Sequence, residues 1–183
     1  MPVLPELPPI PRPYFDKATS LYRALQTSRA PLGEQLQMVY RYMDSFQPYL
    51  AQITTCSRAG KGCSHCCRID VQITTLEAEN IWLYTRRLAQ PTGPITTGHK
   101  TPCPFLDKEG ACSIYEQRPL ICRIYHVAGD PVHCDPASGA KQIHYGHPPK
   151  FGNNIFKNLI GWTHHVAINN GGTVRDIRDF FPA

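Results

Sequence analysis

Three cysteines fall within five residues at Cys63-Ser64-His65-Cys66-Cys67. Cys63 and Cys66 have the C-x2-C spacing that lets two sulfurs reach one ion. Cys56 stands just upstream, and a second group follows at Cys103, Cys112, Cys122 and Cys134. Thiolate is a soft ligand that suits zinc, iron–sulfur clusters or Cu(I). Structural zinc takes four ligands, and an iron–sulfur cubane takes four thiolates. All eight cysteines (Cys56, Cys63, Cys66, Cys67, Cys103, Cys112, Cys122 and Cys134) are therefore candidate metal ligands, enough by arithmetic for two four-thiolate sites. Adjacent residues such as Cys66 and Cys67 point apart in most backbone conformations. They could serve two ions, or one could stay free.

Two plainer readings compete. Buried thiols would explain any one cysteine, but three of them in five residues argue against that reading. A disulfide framework belongs to exported chains. Residues 1–13 carry six prolines and neither a basic n-region nor an apolar h-region, so no export signal is read there. The expected compartment is the cytoplasm.

Histidines could complete a site: His65 in the knuckle, His126 after Cys122, His133 beside Cys134, and His164-His165 near the end. For each, an ordinary surface or core histidine is the preferred reading, and His126 is the first to promote. Arg118 and Arg123 could neutralise excess thiolate charge, or hold a carboxylate or phosphate. The structural role is favoured, with Asp107 and Glu116 as candidate partners. Glu77 reads as a helix cap rather than a general base.

These side chains need a scaffold. Ala18, Leu21, Tyr22 and Leu25 predict a helix from Asp16 to about Arg29, ended by Pro31. Leu36, Val39, Tyr40, Met43 and Phe46 predict a second from Leu32 to Leu50, packed on the first as a hairpin. Ile69, Val71 and Ile73 alternate with polar residues and predict a short extended segment. Thr74 with Glu77 fits a capping box that opens a helix running towards Leu88. A Lys108-Glu109-Gly110 turn is expected to join two short strands carrying Cys103 and Cys112. Residues 127–153, rich in glycine, proline and histidine, are expected to be irregular. A last helix is expected from Asn154 to Asn169, ended by Gly171-Gly172. The fold class is mostly α: a small, irregular, metal-stabilised domain with loop-rich cysteine knuckles and at most a short β-hairpin. The expected divisions are a flexible tail at 1–13, a helical hairpin at 14–55, a cysteine-cluster domain at 56–136, and a loop with a C-terminal helix at 137–183.

Composition narrows the partners. No apolar run reaches the roughly 18 residues a bilayer span requires. The formal charge of +5 is scattered, with Arg86-Arg87 the only adjacent arginine pair, so a nucleic-acid face is disfavoured. A protein partner, unidentified, could meet the proline-rich tail or the terminal helices.

The chain resembles the YkgJ-like cysteine-cluster family, the CxxCxxCC zinc- or iron-chelating domain. The resemblance rests on Gly62-Cys63-Ser64-His65-Cys66-Cys67, on Thr74 to Glu77, and on Cys103-Pro104-Phe105-Leu106. It continues through Cys112-Ser113-Ile114-Tyr115-Glu116-Gln117-Arg118-Pro119, Cys122-Arg123-Ile124-Tyr125 and Cys134-Asp135. It covers residues 56–136. The strict pattern wants cysteine at position 60, where this chain has Gly60, and Cys56 is the candidate for that role. The resemblance implies chelation of zinc or iron, with zinc or iron as cofactor and an iron–sulfur cluster as the variant. A relative of known activity, the flagellin lysine N-methylase, shares this domain. That implies an alternative, an iron–sulfur enzyme of redox or protein-modification chemistry. No glycine-rich loop follows a strand here to hold S-adenosylmethionine, and whether the chain is an enzyme stays open at this point.

Overall fold

Leu36, Val39, Tyr40, Met43 and Phe46 lie along one side of a helix and are all at most 1% exposed, as their spacing requires. The computed structural model that places them describes residues 10–53, 63–128, 134, 143–144 and 153–182. The proline-rich 1–9, Cys56, Gly60, Gly62, His133 and most of 129–152 lie outside the described residues. The chain divides into two units. One joins Met1–Gly60 with Ile124–Asn158, and the other joins Lys61–Arg123 with Leu159–Ala183.

The first unit holds the two expected helices. Helix α1 spans Arg12–Thr27, starting four residues before the expected Asp16. Proline is accommodated in a first helical turn, where its missing N–H is not needed, and Tyr14 N–H donates to the Pro11 carbonyl at 3.0 Å. Helix α2 spans Leu32–Ile53 and runs on through Pro48. The Tyr42 hydroxyl donates to the Tyr14 carbonyl at 3.1 Å, and the Tyr14 and Phe46 rings meet edge-on at 4.6 Å. Phe46 also lies 5.7 Å from Phe156, at the start of a later helix, Asn153–Asn169. The Tyr22 hydroxyl donates to the Ile155 carbonyl there at 2.8 Å.

The second unit is built round a two-stranded antiparallel ladder with one strand from each of its two chain segments. Strand β1, Gln72–Thr74, pairs with Val174–Asp176 in the register Gln72 to Asp176, Ile73 to Arg175 and Thr74 to Val174. Between them in sequence come α3, Thr75–Thr85, α4, Leu120–Ile124, the short pair β2 and β3 at Val127–Ala128 and Ile143–His144, and α5, the Asn153–Asn169 helix. The strand Val174–Asp176 is thus β4, followed directly by α6, Ile177–Phe180. A Cβ on Gly172 would come within 2.9 Å of both the Ala167 carbonyl and Thr75, so only glycine lets the chain turn from α5 into β4 this closely.

Val71, Ile73, Ala78, Ile81, Phe105, Ile114, Ile177, Phe180 and Phe181 form the core of this unit, with Cys103, Cys112 and Cys122 packed half-buried against it. Helix α3 opens on the expected capping box, in which both reciprocal bonds between Thr74 and Glu77 form. It ends at Thr85, three residues short of Leu88, and is capped by Arg86 in the left-handed conformation with φ of 63°. Glu77 does more than cap. Its second carboxylate oxygen accepts the Leu120 N–H at the start of α4 at 2.8 Å, with Glu77 itself 3% exposed. Glu77→Ala is expected to cost about 2–3 kcal/mol, because it removes a cap and orphans buried amides on two helices. A thermal melt measures that loss, and a change within error would refute the joint role.

The expected strands carrying Cys103 and Cys112 reduce to one isolated bridge between Leu106 and Cys112. Pro104 has no N–H to give a ladder, and the Leu106 N–H turns back to the Cys103 carbonyl at 3.0 Å. The 107–111 turn itself closes as read, with the Ala111 N–H donating to the Asp107 carboxylate at 2.7 Å.

Candidate metal centre

Three cysteines of the second unit share one local device: a backbone N–H two residues on points at the sulfur. The His65 amide favours the Cys63 thiolate, the Phe105 amide that of Cys103, and the Ile114 amide that of Cys112. Tight turns aim these amides. A 3-10 turn spans His65–Arg68, the Leu106 turn follows Cys103, and a second 3-10 turn, Tyr115–Gln117, follows Cys112. Cys122 comes instead from α4. Amides directed at sulfur stabilise the thiolate and orient it towards an ion.

The six cysteines act on one another. The Cys67 thiol donates to the Cys66 sulfur, which lowers Cys66 to about 7 and raises Cys67. Burial and then neighbouring Cys66, Cys103 and Cys122 push Cys67 further up. Burial raises Cys103 to about 11, helped by Cys112 and opposed by the Arg178 guanidinium. Burial also raises Cys63, Cys112 and Cys122, each with a further push from Cys66. Cys122 is additionally pushed by Cys103, Cys112 and Glu77. Cys66 is exposed, while the other five are half-buried.

Half-buried thiols whose charged forms repel need a cation to ionise together. A soft dication supplies it, so the donor set fits zinc or iron. Among the described residues, no three cysteine sulfurs lie within 4.8 Å of one another. A tetrahedral shell with ~2.3 Å bonds therefore requires the cysteine side chains to turn towards a common point.

A frame of polar side chains holds these loops. Cys103 N–H donates to the Cys67 carbonyl at 2.7 Å, tying the knuckle to the second cysteine group. Arg123, 1% exposed, spends its guanidinium on the Arg118 and Glu116 carbonyls at 2.9 and 2.6 Å. It thereby shapes the segment between Cys112 and Cys122 through backbone carbonyls, where the sequence favoured neutralisation of thiolate charge. Arg118 lies over the Tyr115 ring at 3.9 Å, and its charge favours the Cys112 thiolate.

Asp70, His99 and Asp176 also converge, with one ligand atom of each within 4.8 Å of the others. Their oxygens are already engaged. Asp70 accepts the Gly98 and His99 amides. Asp176 accepts the Val71 amide at 2.6 Å and the Arg178 guanidinium at 2.9 Å. A guanidinium already supplies the positive charge here, so this cluster reads as the pin holding the 96–99 loop to β4.

Of the other candidates, Cys134, half-buried, and His126, buried, belong to the first unit. His165 bonds Asn169 along α5. Asp70, His99, Asp176 and Arg178 were not singled out from sequence. The readable signal was the run Arg175, Asp176, Arg178, Asp179 and Phe180-Phe181 after the Gly171-Gly172 stop, too charged and too short to read as a core element.

Helices and loops gathering six thiols round one core define a small cysteine-cluster domain. A family model, "CxxCxxCC: Putative zinc- or iron-chelating domain", matches residues 55–147, and the chain belongs to that family. No curated protein and no solved structure gives a match. No helix among the described residues is long and apolar enough to cross a membrane.

Proposed function

We propose that the chain binds zinc or iron through the thiolates of its second unit, and that the metal is structural. The ligands are drawn from Cys63, Cys66, Cys67, Cys103, Cys112 and Cys122. The observation that carries the reading is the gathering of thiols in one unit, where Cys103, Cys112 and Cys122 pack on one core and interact with Cys66 and Cys67. The bound ion would cross-link the knuckle, the 103–112 turn and α4. Free thiols of this kind require a reducing compartment such as the cytoplasm.

The iron–sulfur alternative rests on the Arg118 and Arg123 pair and on cysteines beyond one complete four-ligand site. Arg123 donates to the Arg118 and Glu116 carbonyls. Metal analysis with an optical spectrum, on protein purified without oxygen, tests both readings. The expected result is colourless protein with zinc that is lost in Cys67→Ser, Cys103→Ser and Cys122→Ser. Brown protein with acid-labile sulfide would replace it with the iron–sulfur reading. Protein with neither metal would sink both.

A further inference from the structure

We propose that Arg178 is a positioning residue of the thiol centre, holding the two cysteine-bearing loops at the spacing a metal needs. The proposal rests on the metal-binding reading above and extends it to a residue beyond the 55–147 segment that the family model matches. Arg178 lies on α6 and is 8% exposed. Its Nε donates to the Thr101 carbonyl at 3.0 Å, two residues before Cys103. One terminal nitrogen donates to the Ile69 carbonyl at 3.2 Å, two residues after Cys67, and to the Asp176 carboxylate at 2.9 Å. The other donates to the carbonyl of Cys67 itself at 3.1 Å.

That Cys67 carbonyl also accepts the Cys103 N–H at 2.7 Å. Both of its lone pairs are thus used, one by a cysteine of the opposite loop and one by Arg178. The guanidinium therefore fixes Cys67 and Cys103 through a single shared atom. A planar fork with five donors reaches three carbonyls and a carboxylate at once, and an ammonium with three donors cannot. Asp176 balances the charge, so the arginine can stay buried. Among the described residues, its hydrogen bonds go to carbonyls and to Asp176. Its influence passes through the backbone.

The test uses the full chain with Arg178→Met and Arg178→Lys. Zinc affinity is read by competition with a chromophoric chelator, and ligand geometry by the sulfur-to-metal charge-transfer and d–d bands of the cobalt(II) form. Folding is checked by circular dichroism. Arg178→Met should weaken zinc about 10–100-fold, the usual range for groups that orient ligands from outside the shell, and should alter the cobalt bands. Arg178→Lys should recover part of both. If Arg178→Met melts earlier but binds zinc and cobalt as the unsubstituted chain does, the role is merely structural and the proposal falls. If Arg178→Met does not fold, Arg178→Lys decides: affinity and bands identical to the unsubstituted chain overturn the proposal. An unsubstituted chain that takes up neither zinc nor cobalt overturns the metal-binding reading itself, an outcome distinct from equal binding by all three proteins.

Discussion

Stripping the metal with a chelator is expected to lower the unfolding midpoint by more than about 10 °C, and restoring zinc is expected to reverse it. Structural zinc contributes an apparent ~10–16 kcal/mol where no fold exists without it. This unit has a core of its own, with nine buried apolar residues including Phe105, Phe180 and Phe181, so only part of that energy appears as stability. Even ~3 kcal/mol moves the midpoint of a domain of roughly 60–100 residues by about 12–24 °C. The loss should be local first. Amides of residues 63–68 and 103–122 should exchange with solvent before those of α3 and the β1–β4 ladder. The pH dependence has a definite sign. Burial holds the Cys63, Cys103, Cys112 and Cys122 thiols above their ordinary range, and the hydrogen bond to Cys66 followed by burial does the same for Cys67. Each one that ligates must then release a proton, so metal affinity falls as pH falls. A midpoint unmoved by complete metal removal would end the structural reading.

Elements with strong local signals were legible in the sequence. The apolar stripe of α2 and the Thr74–Glu77 capping box are short-range patterns, and both form as read. The cysteine spacings were equally legible, because chelation chemistry depends on residue type and local turns. The C-terminal segment was not. Arg175, Asp176 and Arg178 look like a solvated tail, yet all three are at most 8% exposed. Their burial follows from pairing β4 with β1, about one hundred residues away in sequence, and no local period encodes such a partner. Charge patterning misleads in such cases. The buried Asp176–Arg178 pair belongs to one closed hydrogen-bond network, while Arg12–Asp16, equally readable from sequence, sits at the surface with side chains 85% and 62% exposed. The 103–112 hairpin failed for a smaller reason, since Pro104 denies the ladder its next donor.

Asp176→Ala should be the most damaging single change outside the cysteines, costing about 3–5 kcal/mol. Asp176 is fully buried. One oxygen accepts the Val71 N–H at 2.6 Å. The other accepts both the Arg178 N–H, capping α6, and the Arg178 guanidinium, each at 2.9 Å. Alanine would strand all of these donors at once and leave a buried guanidinium without its counter-charge. A typical stability of roughly 5–15 kcal/mol leaves little after such a loss, so poor yield or a collapsed melting transition is expected. Asp176→Asn keeps the shape and one acceptor, and should cost less. A double-mutant cycle separates charge from packing. If the ion pair dominates, Asp176→Ala combined with Arg178→Met should destabilise by clearly less than the sum of the single changes, because the second substitution removes the stranded cation. Strict additivity would mean that the carboxylate matters chiefly to the Val71 amide and the α6 cap. In that case β4 would hold the cysteine loops through its backbone pairing with β1 rather than through the charge it carries.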